Sequence, residues 1–294
     1  MSLKLAEIAG CNLNLKRLLK FFLPLIVIGL FSLGNINAAV PVPSGYQLIY
    51  PLTTNYKGVR VYSKTSGTRK DYITVIDLRV GTLRSFVGDI TASTPTNGNF
   101  VVPRTISSFY NTGVAQNTGS RKAVVAINGT FFTQKPSGSP VPIAFGLKAD
   151  RWLMSLGYGL GEFPGLIKTF AFDTGYGSSS VQDYDERTFR GNIPDVVGGL
   201  DVTANKDRRM KEPIERTFVG VRDDNGDRNP ETVIFFTSTA AKQSDADDVL
   251  RGFGTLSPRM MLDGGGSTGF ILKGDPKIPS SRPIPQAFII YEGK

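Results

Sequence analysis

Short apolar runs, many of them ended by glycine, asparagine or aspartate, recur along residues 72–291 and constrain the fold most strongly. Runs of this length that are rich in β-branched and aromatic residues are typical of β-strands. Lys122–Ile127 shows no polar alternation, which is typical of a strand buried on both faces. Thr217–Arg222 and Thr232–Ser238 flank a polar turn and predict a β-hairpin. The remaining predicted strands are Tyr72–Val80, Leu83–Val87, two within Ala144–Met154, Thr169–Asp173, Arg259–Leu262, Phe270–Leu272 and Phe288–Tyr291.

Two segments predict helices, Thr105–Gln116 and Ser244–Phe253. Ser244 or Asp245 can cap the second helix, whose first turn is acidic, as the helix dipole favours. Gly175–Asp195 is predicted as a surface excursion, and residues 93–100 as a turn. The chain shows no internal repeat and no linker. We therefore expect an α+β fold, a single mixed domain with a strand-rich sheet and a few helices.

The first 39 residues have the organisation of a secretory signal peptide. Four basic residues precede the apolar run Phe21–Gly34, and small residues follow it up to Ala39. That run has 14 residues, whereas a membrane-spanning helix needs about 20. We expect cleavage near Ala38 or Ala39, the alternative being an uncleaved anchor. The predicted organisation is a signal peptide at 1–39, an extended lead-in at 40–70 and a domain at 71–294, in a bacterial protein that is secreted, periplasmic or on the cell surface, with no stable membrane span after cleavage.

Composition excludes several kinds of active site. The chain has no histidine, and its one cysteine, Cys11, lies in the segment predicted to be removed. Serine–histidine triads, thiolate nucleophiles and zinc sites built on Cys or His are therefore excluded. Acid–base chemistry must therefore come from Asp, Glu, Tyr or Lys. A metal cofactor would be calcium or magnesium in an all-oxygen site.

The whole chain carries a net charge of +9, and removal of residues 1–39 leaves +6, a mild positive balance that suits an anionic partner. The basic cluster Lys206–Lys211 is interrupted by an acid and accompanied by no aromatic stacking pattern, so we predict a solvated loop and no nucleic-acid binding. The acidic stretch 223–230 lacks the spacing of a calcium loop and is predicted as a polar turn.

The sharpest motif is MLDGGGSTGF at Met261–Phe270. An apolar strand ends in the carboxylate of Asp263, and Gly264, Gly265 and Gly266 follow at once. Glycines let a ligand approach the main chain, whose N–H groups can surround an anion. Ser267 and Thr268 add hydroxyl groups. The alternative is a tight glycine turn with an Asx-type hydrogen bond from Asp263.

A second motif is AINGTFF at Ala126–Phe132. It repeats the pattern of a buried strand followed by a polar–glycine turn, here Asn128 and Gly129. Asn128 can hold a ligand hydroxyl above Phe131 and Phe132. The alternative is a hairpin turn with core phenylalanines.

The order of AINGTFF (126–132), IPDVVGG (193–199), RTFVGV (216–221) and LDGGGST (262–268) resembles the phosphodiester glycosidase family over residues 71–292. The resemblance implies a hydrolase that cleaves the sugar–phosphate C–O bond of a phosphorylated glycan or another glycosyl phosphate. Thr130, where the family often has a second glycine, and Leu200–Val202 depart from the family pattern, which affects the sugar pocket more than the reaction.

The resemblance also suggests roles for residues. Asp263 is the candidate nucleophile or general base, and Arg216 the candidate phosphate anchor, helped by the backbone of Gly264–Gly266. Asn128 and Gly129 would position the sugar, and Ser267 and Thr268 would contact the phosphate or the carboxylate. Arg216 has an alternative role as the partner of Glu215 or Asp223. A second carboxylate is expected, and the candidates are Glu162, Asp150, Asp173 and Asp195.

Two other functions remain open on the sequence. A non-catalytic envelope protein can use the same motif to bind anionic glycans without cleaving them. Hydrolysis at phosphorus would normally need two metals held by clustered carboxylates or histidines, and the acidic residues here are scattered.

Overall fold

The structure, a computed structural model, describes residues 41–52, 55–92, 100–136, 138–205 and 209–294. The predicted signal peptide at 1–39, residues 93–99 of the predicted turn and residues 206–208 of the predicted basic loop lie outside the described residues.

The largest sheet has eleven strands, and all their pairings are antiparallel. The predicted hairpin is confirmed, since its two strands pair from Arg216–Ser238 to Arg222–Thr232. The strands are β1 (Gln47–Tyr50), β2 (Val59–Ser66), β3 (Arg69–Asp77), β9 (Leu147–Ala149), β10 (Trp152–Ser155), β11 (Ile167–Asp173), β12 (Ser178–Asp183), β13 (Asp195–Asp201), β14 (Ile214–Arg222), β15 (Thr232–Ala241) and β16 (Met260–Met261). Their order is β1-β2-β3-β15-β14-β16-β13-β11-β12, with β9 joining β13 to β10.

A second sheet has five strands, β4 (Thr82–Val87), β7 (Lys122–Asn128), β17 (Phe270–Leu272), β18 (Asp275–Ile278) and β19 (Gln286–Glu292). Their order is β18-β17-β7-β19-β4. Strand β7 lies in the middle and is buried from its second residue onward, which confirms the prediction of a doubly buried strand. A small third sheet contains β5 (Asp89–Ala92), β6 (Phe100–Val102) and β8 (Val141–Pro142).

The two larger sheets pack face to face, and helices cover their outer faces. Successive side chains of a strand point to opposite faces. On β15, Phe235 therefore enters the apolar cluster that it shares with Phe288 of the second sheet. The neighbouring Phe236 enters a different cluster, together with Leu250. The helices are α1 (Ile106–Ala115), α2 (Glu186–Arg190) and α3 (Gln243–Gly252).

Helices α1 and α3 confirm the two predicted helices to within one residue at each end. The N-cap of α3 is Lys242, so the predicted caps Ser244 and Asp245 lie inside the helix. Helix α3 packs on the large sheet, whereas Phe109 of α1 belongs to the apolar cluster that contains Ile289 on the outer face of the second sheet. Among the described residues, no helix is both long enough and apolar enough to cross a membrane.

The α+β prediction is wrong, because the fold is mostly β. Strands make up 45% of the described residues and helices 12%, so the helices cover the sheets and do not form half of the architecture. Sequence analysis missed several strands because their local signal is weak. The serine-rich β12 is one of them, and it lies with α2 inside the predicted surface excursion at Gly175–Asp195. Strand β12 is defined by its pairing with β11 over six residues and not by its own composition.

Strand β13 was also missed, because its two consecutive glycines weaken a strand prediction. Close packing requires both of them. A Cβ atom on Gly198 would lie 1.7 Å from the carbonyl oxygen of Phe145, and one on Gly199 would lie 2.5 Å from that of Met261. The segment predicted as a lead-in contains β1 and β2, and β2 pairs with β3 from Val59–Ile76 to Ser66–Arg69.

Candidate active site

Asn128, at the end of β7, holds together the chain segments that form the site. Its Nδ2 donates to the carbonyl oxygen of Asp263 at 2.7 Å. Its Oδ1 accepts from Thr217 Oγ1 at 2.6 Å and from the N–H of Gly269 at 3.1 Å. Asn128 is 0% exposed, so it lies beneath the site and not on its surface. Its amide is already used in positioning the glycine-rich loop against β7 and β14.

Asp263 follows β16, the two-residue strand that lies between β13 and β14. Its N–H donates to the carbonyl oxygen of Gly129 at 2.9 Å, which fixes the start of the loop. Its side chain is 9% exposed, and Oδ2 lies 3.5 Å from Nη2 of Arg282. Oδ1 accepts from the N–H of Gly264 at 3.0 Å. The carboxylate therefore lies in an ion pair at the inner end of the loop.

A cleft of about 270 Å³ opens beside this carboxylate. Three arginines and one aspartate contribute its charges, and two phenylalanines and two aliphatic side chains contribute its apolar surface. This excess of positive over negative charge favours an anionic ligand. The lining residues are Phe131, Phe132, Arg209, Ile214, Arg216, Met261, Asp263, Gly264, Gly265, Gly266 and Arg282.

The three glycines belong to a hydrogen-bonded turn. Residues Gly265–Ser267 make one 3₁₀ turn, in which the N–H of Thr268 donates to the carbonyl oxygen of Gly265 at 2.9 Å. Gly265 has a φ of +57°, which favours glycine. A Cβ atom on Gly266 would lie 2.5 Å from Oγ of Ser281. All three glycines line the cleft, so a ligand can contact their main chain.

The two hydroxyl residues of the motif lie below the cleft. Ser267 is 0% exposed, and its Oγ accepts from Nε of Arg282 at 2.7 Å. Thr268 is 1% exposed, and its Oγ1 has no hydrogen-bond partner among the described residues. Ser267 therefore positions an arginine, and neither hydroxyl lines the cleft.

Arg216 lies on the cleft wall, but the protein chain uses most of its hydrogen-bonding capacity. Its guanidinium donates to the carbonyl oxygens of Ala241 at 3.1 Å and Glu212 at 3.3 Å, to that of Arg209, and to Oε1 of Gln243 at 3.4 Å. Burial, together with repulsion from Arg209, lowers the pKa of Arg216 below its usual value. Arginine still remains protonated. Arg216 thus contributes a positive charge more than bidentate hydrogen bonds to a phosphate.

Arg282 was not predicted, yet it contacts both the carboxylate and the motif. Besides Asp263 and Ser267, it donates from Nη1 to Oε1 of Gln134 at 2.8 Å. Its guanidinium carbon lies 5.4 Å from the centre of the Phe132 ring, at cation–π distance. Three of the five N–H groups of a guanidinium are used in these contacts, so with respect to the described residues two remain for a ligand. Nothing local in the sequence SSRPIP marks this arginine.

Gly129 does not line the cleft. A Cβ atom there would lie 1.7 Å from Oε1 of Gln286, whose side chain is 0% exposed. That oxygen accepts the N–H of Thr130 at 2.9 Å. Gly129 is therefore required for packing, while its carbonyl oxygen holds Asp263.

None of the four candidates for a second carboxylate lines the cleft, where Asp263 is the only acidic residue among the described lining residues. Asp195 is half-buried elsewhere, and burial raises its pKa to about 7. In the part of the chain that the structure describes, no group of three or more acidic residues is arranged to hold a metal ion.

Comparison with solved structures shows that the fold is a known one. The chain is similar to the zebrafish N-acetylglucosamine-1-phosphodiester alpha-N-acetylglucosaminidase catalytic domain auto-inhibited by pro-peptide. The TM-score is 0.55 at 16% identity, over 79% of this chain and 81% of that one. The fold resembles that of a hydrolase catalytic domain.

A hypothetical protein from Synechocystis is similar as well, with a TM-score of 0.54 and 12% identity over 85% of this chain and 69% of that one. No family model matches the sequence, and no curated protein does. At these identities the likeness extends to the fold alone.

Proposed function

We propose that this protein is a hydrolase that cleaves the C–O bond between a sugar and the phosphate of a glycosyl phosphodiester. The observation that carries the proposal is the pairing of the Asp263 carboxylate with the Arg282 guanidinium at 3.5 Å on the wall of a cationic cleft. Glycoside cleavage needs a carboxylate at the anomeric carbon. A guanidinium binds phosphate oxygens in pairs.

The single cleft carboxylate suits a phosphodiester better than an ordinary glycoside. An ordinary glycoside needs a second carboxyl group that protonates the departing oxygen. A phosphate monoester departs as a stable anion and needs no such acid. The cations of the cleft, Arg209, Arg216 and Arg282, are placed to stabilise the charge that develops on it.

In the proposed reaction, Asp263 either attacks the anomeric carbon or removes a proton from the attacking water. The C–O bond to the phosphate breaks, and its electron pair remains on the phosphate oxygen. Arg282 binds that phosphate with its two remaining N–H groups, and Arg216 adds positive charge. If Asp263 is the nucleophile, water later releases the sugar from it.

We expect purified residues 40–294 to release free sugar from an α-N-acetylglucosaminyl phosphodiester. Asp263→Asn should lower kcat by a factor on the order of 10³, because the shape is kept and the carboxylate is lost. Asp275→Asn, at an exposed acid outside the cleft, is the matched control. Near-normal turnover by a folded Asp263→Asn variant would overturn the assignment, and a chelator arm tests a role for calcium or magnesium.

The stereochemistry of the released sugar separates the two roles of Asp263. Retention of the anomeric configuration identifies Asp263 as the nucleophile, and inversion identifies it as the base for water. Proton NMR during the first turnovers measures the anomeric configuration of the released sugar directly. Labelled water oxygen recovered in the phosphate instead of the sugar would contradict attack at carbon.

The absence of a second carboxylate among the described lining residues also favours one other function, binding of an anionic glycan without cleavage. Saturable binding with no product from a panel of glycosyl phosphates would establish that function. Export remains a prediction of residues 1–39, and the N-terminal sequence of the protein isolated from cells tests it.

A further inference from the structure

A second chamber of about 180 Å³ adjoins the cleft at Phe132 and Arg282, which line both. It lies between β8 of the small third sheet and the segment 281–283 that precedes β19. Pro103, Pro136 and Pro283 are among its apolar lining residues. The cleft and the chamber hold about 270 Å³ and 180 Å³, together about 450 Å³. Only the combined volume falls well within the roughly 300–1,000 Å³ of typical ligand sites.

Arg282 bridges the two spaces. Its Nη2 faces the cleft at Asp263, 3.5 Å away, and its Nη1 faces the chamber at Gln134, 2.8 Å away. A phosphate on this guanidinium, with its sugar at Asp263, therefore has its other ester oxygen on the side of the chamber.

We infer that the chamber binds the alcohol beyond the phosphate, and that this alcohol is a ring-sized group bearing a further negative charge. The inference rests on the proposed function. Proline and phenylalanine faces favour the C–H surface of a ring over a short alkyl group. Lys135 supplies a cation, 5.0 Å from the centre of the Phe100 ring, and no acidic residue is among the described residues of the lining.

The test uses three substrates with the same sugar phosphate, esterified to methanol, cyclohexanol or 4-carboxycyclohexanol. We expect kcat/KM to rise at least tenfold from the methyl to the cyclohexyl ester, because several methylene groups leave water. The carboxylate of the 4-carboxycyclohexyl ester should raise kcat/KM a further three- to tenfold. Lys135→Ala should remove that last gain.

Lys70→Ala, at an exposed lysine that lines neither space, is the control for a general loss of positive charge. Equal kcat/KM for the three esters, or a carboxylate gain that survives Lys135→Ala, would overturn the inference and leave the proposed function intact. A fall of the carboxylate gain in Lys70→Ala as large as in Lys135→Ala would also overturn it, because the effect would then be one of net charge. Failure of all three esters to release sugar would overturn the proposed function, and the inference with it.

Discussion

Gly129 illustrates how a single residue can resemble a ligand contact and yet serve packing. It follows a strand and precedes aromatic residues, a position where a glycine would let a ligand approach. The structure places the buried amide of Gln286 against it instead. That amide is held at both ends, by the N–H of Thr130 and by Oγ of Ser85, each at 2.9 Å. It therefore has no room to move aside.

We expect Gly129→Ala to lower the free energy of unfolding by about 2–3 kcal/mol, because overpacking a rigid interior costs about 1–3 kcal/mol. For a domain of this size that corresponds to a fall in Tm of roughly 4–12 °C. Gly119→Ala is the matched control, since a Cβ atom there meets nothing within 4 Å. Equal Tm values for the two variants in thermal denaturation would contradict the packing role.

The acid Asp195 makes stability depend on pH. Burial raises its pKa from 3.8 to about 7, although the N–H of Asp150 donates to it at 3.1 Å. An acid that binds its proton more tightly when folded stabilises the fold fully below its unfolded pKa. That contribution falls as pH rises from about 4 to about 7 and levels off above.

We expect Asp195→Asn to flatten this dependence. Urea unfolding at pH 5 and pH 8 should show a larger loss of stability across the interval in the natural protein than in the variant. Asp248→Asn, at an exposed acid, should leave the loss of stability between pH 5 and pH 8 unchanged. A variant whose loss across the interval equals that of the natural protein would contradict the raised pKa.

At the scale of elements, the site depends on how strand ends are tied together. Asn128 ends β7, Thr217 belongs to β14, and Gly269 immediately precedes β17. One buried amide joins all three to the carbonyl oxygen of Asp263. Each strand is predictable from its own apolar pattern, but the junction is not, because it links residues up to 141 positions apart.

We expect Asn128→Ala to destabilise the fold by about 3 kcal/mol, because it leaves several buried polar groups unpaired, each costing about 1–3 kcal/mol. Thr217→Val removes one of these bonds and should cost less, about 1–2 kcal/mol. Denaturant unfolding measures both variants. A stable Asn128→Ala variant with only a raised KM would instead support direct contact with the sugar.

At the scale of the whole molecule, the main feature is the apolar cluster that the two large sheets share. Phe288 of β19 packs on rings of the opposite sheet, with its ring centre 5.8 Å from that of Phe170 and 5.0 Å from that of Phe235. All three rings are fully buried. The contact joins β19 to strands β11 and β15, so it supports the sheet packing and not one local element.

We expect Phe288→Ala to lower the free energy of unfolding by about 3–5 kcal/mol, since it opens a cavity in this layer. The corresponding fall in Tm is roughly 6–20 °C. Tyr176→Ala is the control, because that ring is 86% exposed, and it should change stability by less than about 0.5 kcal/mol. A Phe288→Ala variant as stable as the control would place the main core elsewhere.

The sequence by itself determined the elements whose signal is local. The apolar runs of β7, β14 and β15 identify those strands from neighbouring residues alone. The segment of α3 was also predicted, although its N-cap is Lys242 and not Ser244 or Asp245. The chain also shows without a structure that histidine and, apart from Cys11, cysteine are absent. The DGGGST motif singled out Asp263 and three glycines, and the structure places all four on one cleft.

Only the tertiary structure decided the rest. Strands β12 and β13 depend on their partners more than on their own composition, which is why the fold is mostly β and not the expected mixture. Arg282 reaches Asp263, Arg216 is bound by carbonyl oxygens, and Asn128 lies beneath the cleft. The physical reason is that a hydrophobic pattern depends only on residues that are close in sequence. Hydrogen bonds and ion pairs join whichever groups the packed sheets bring within about 3 Å.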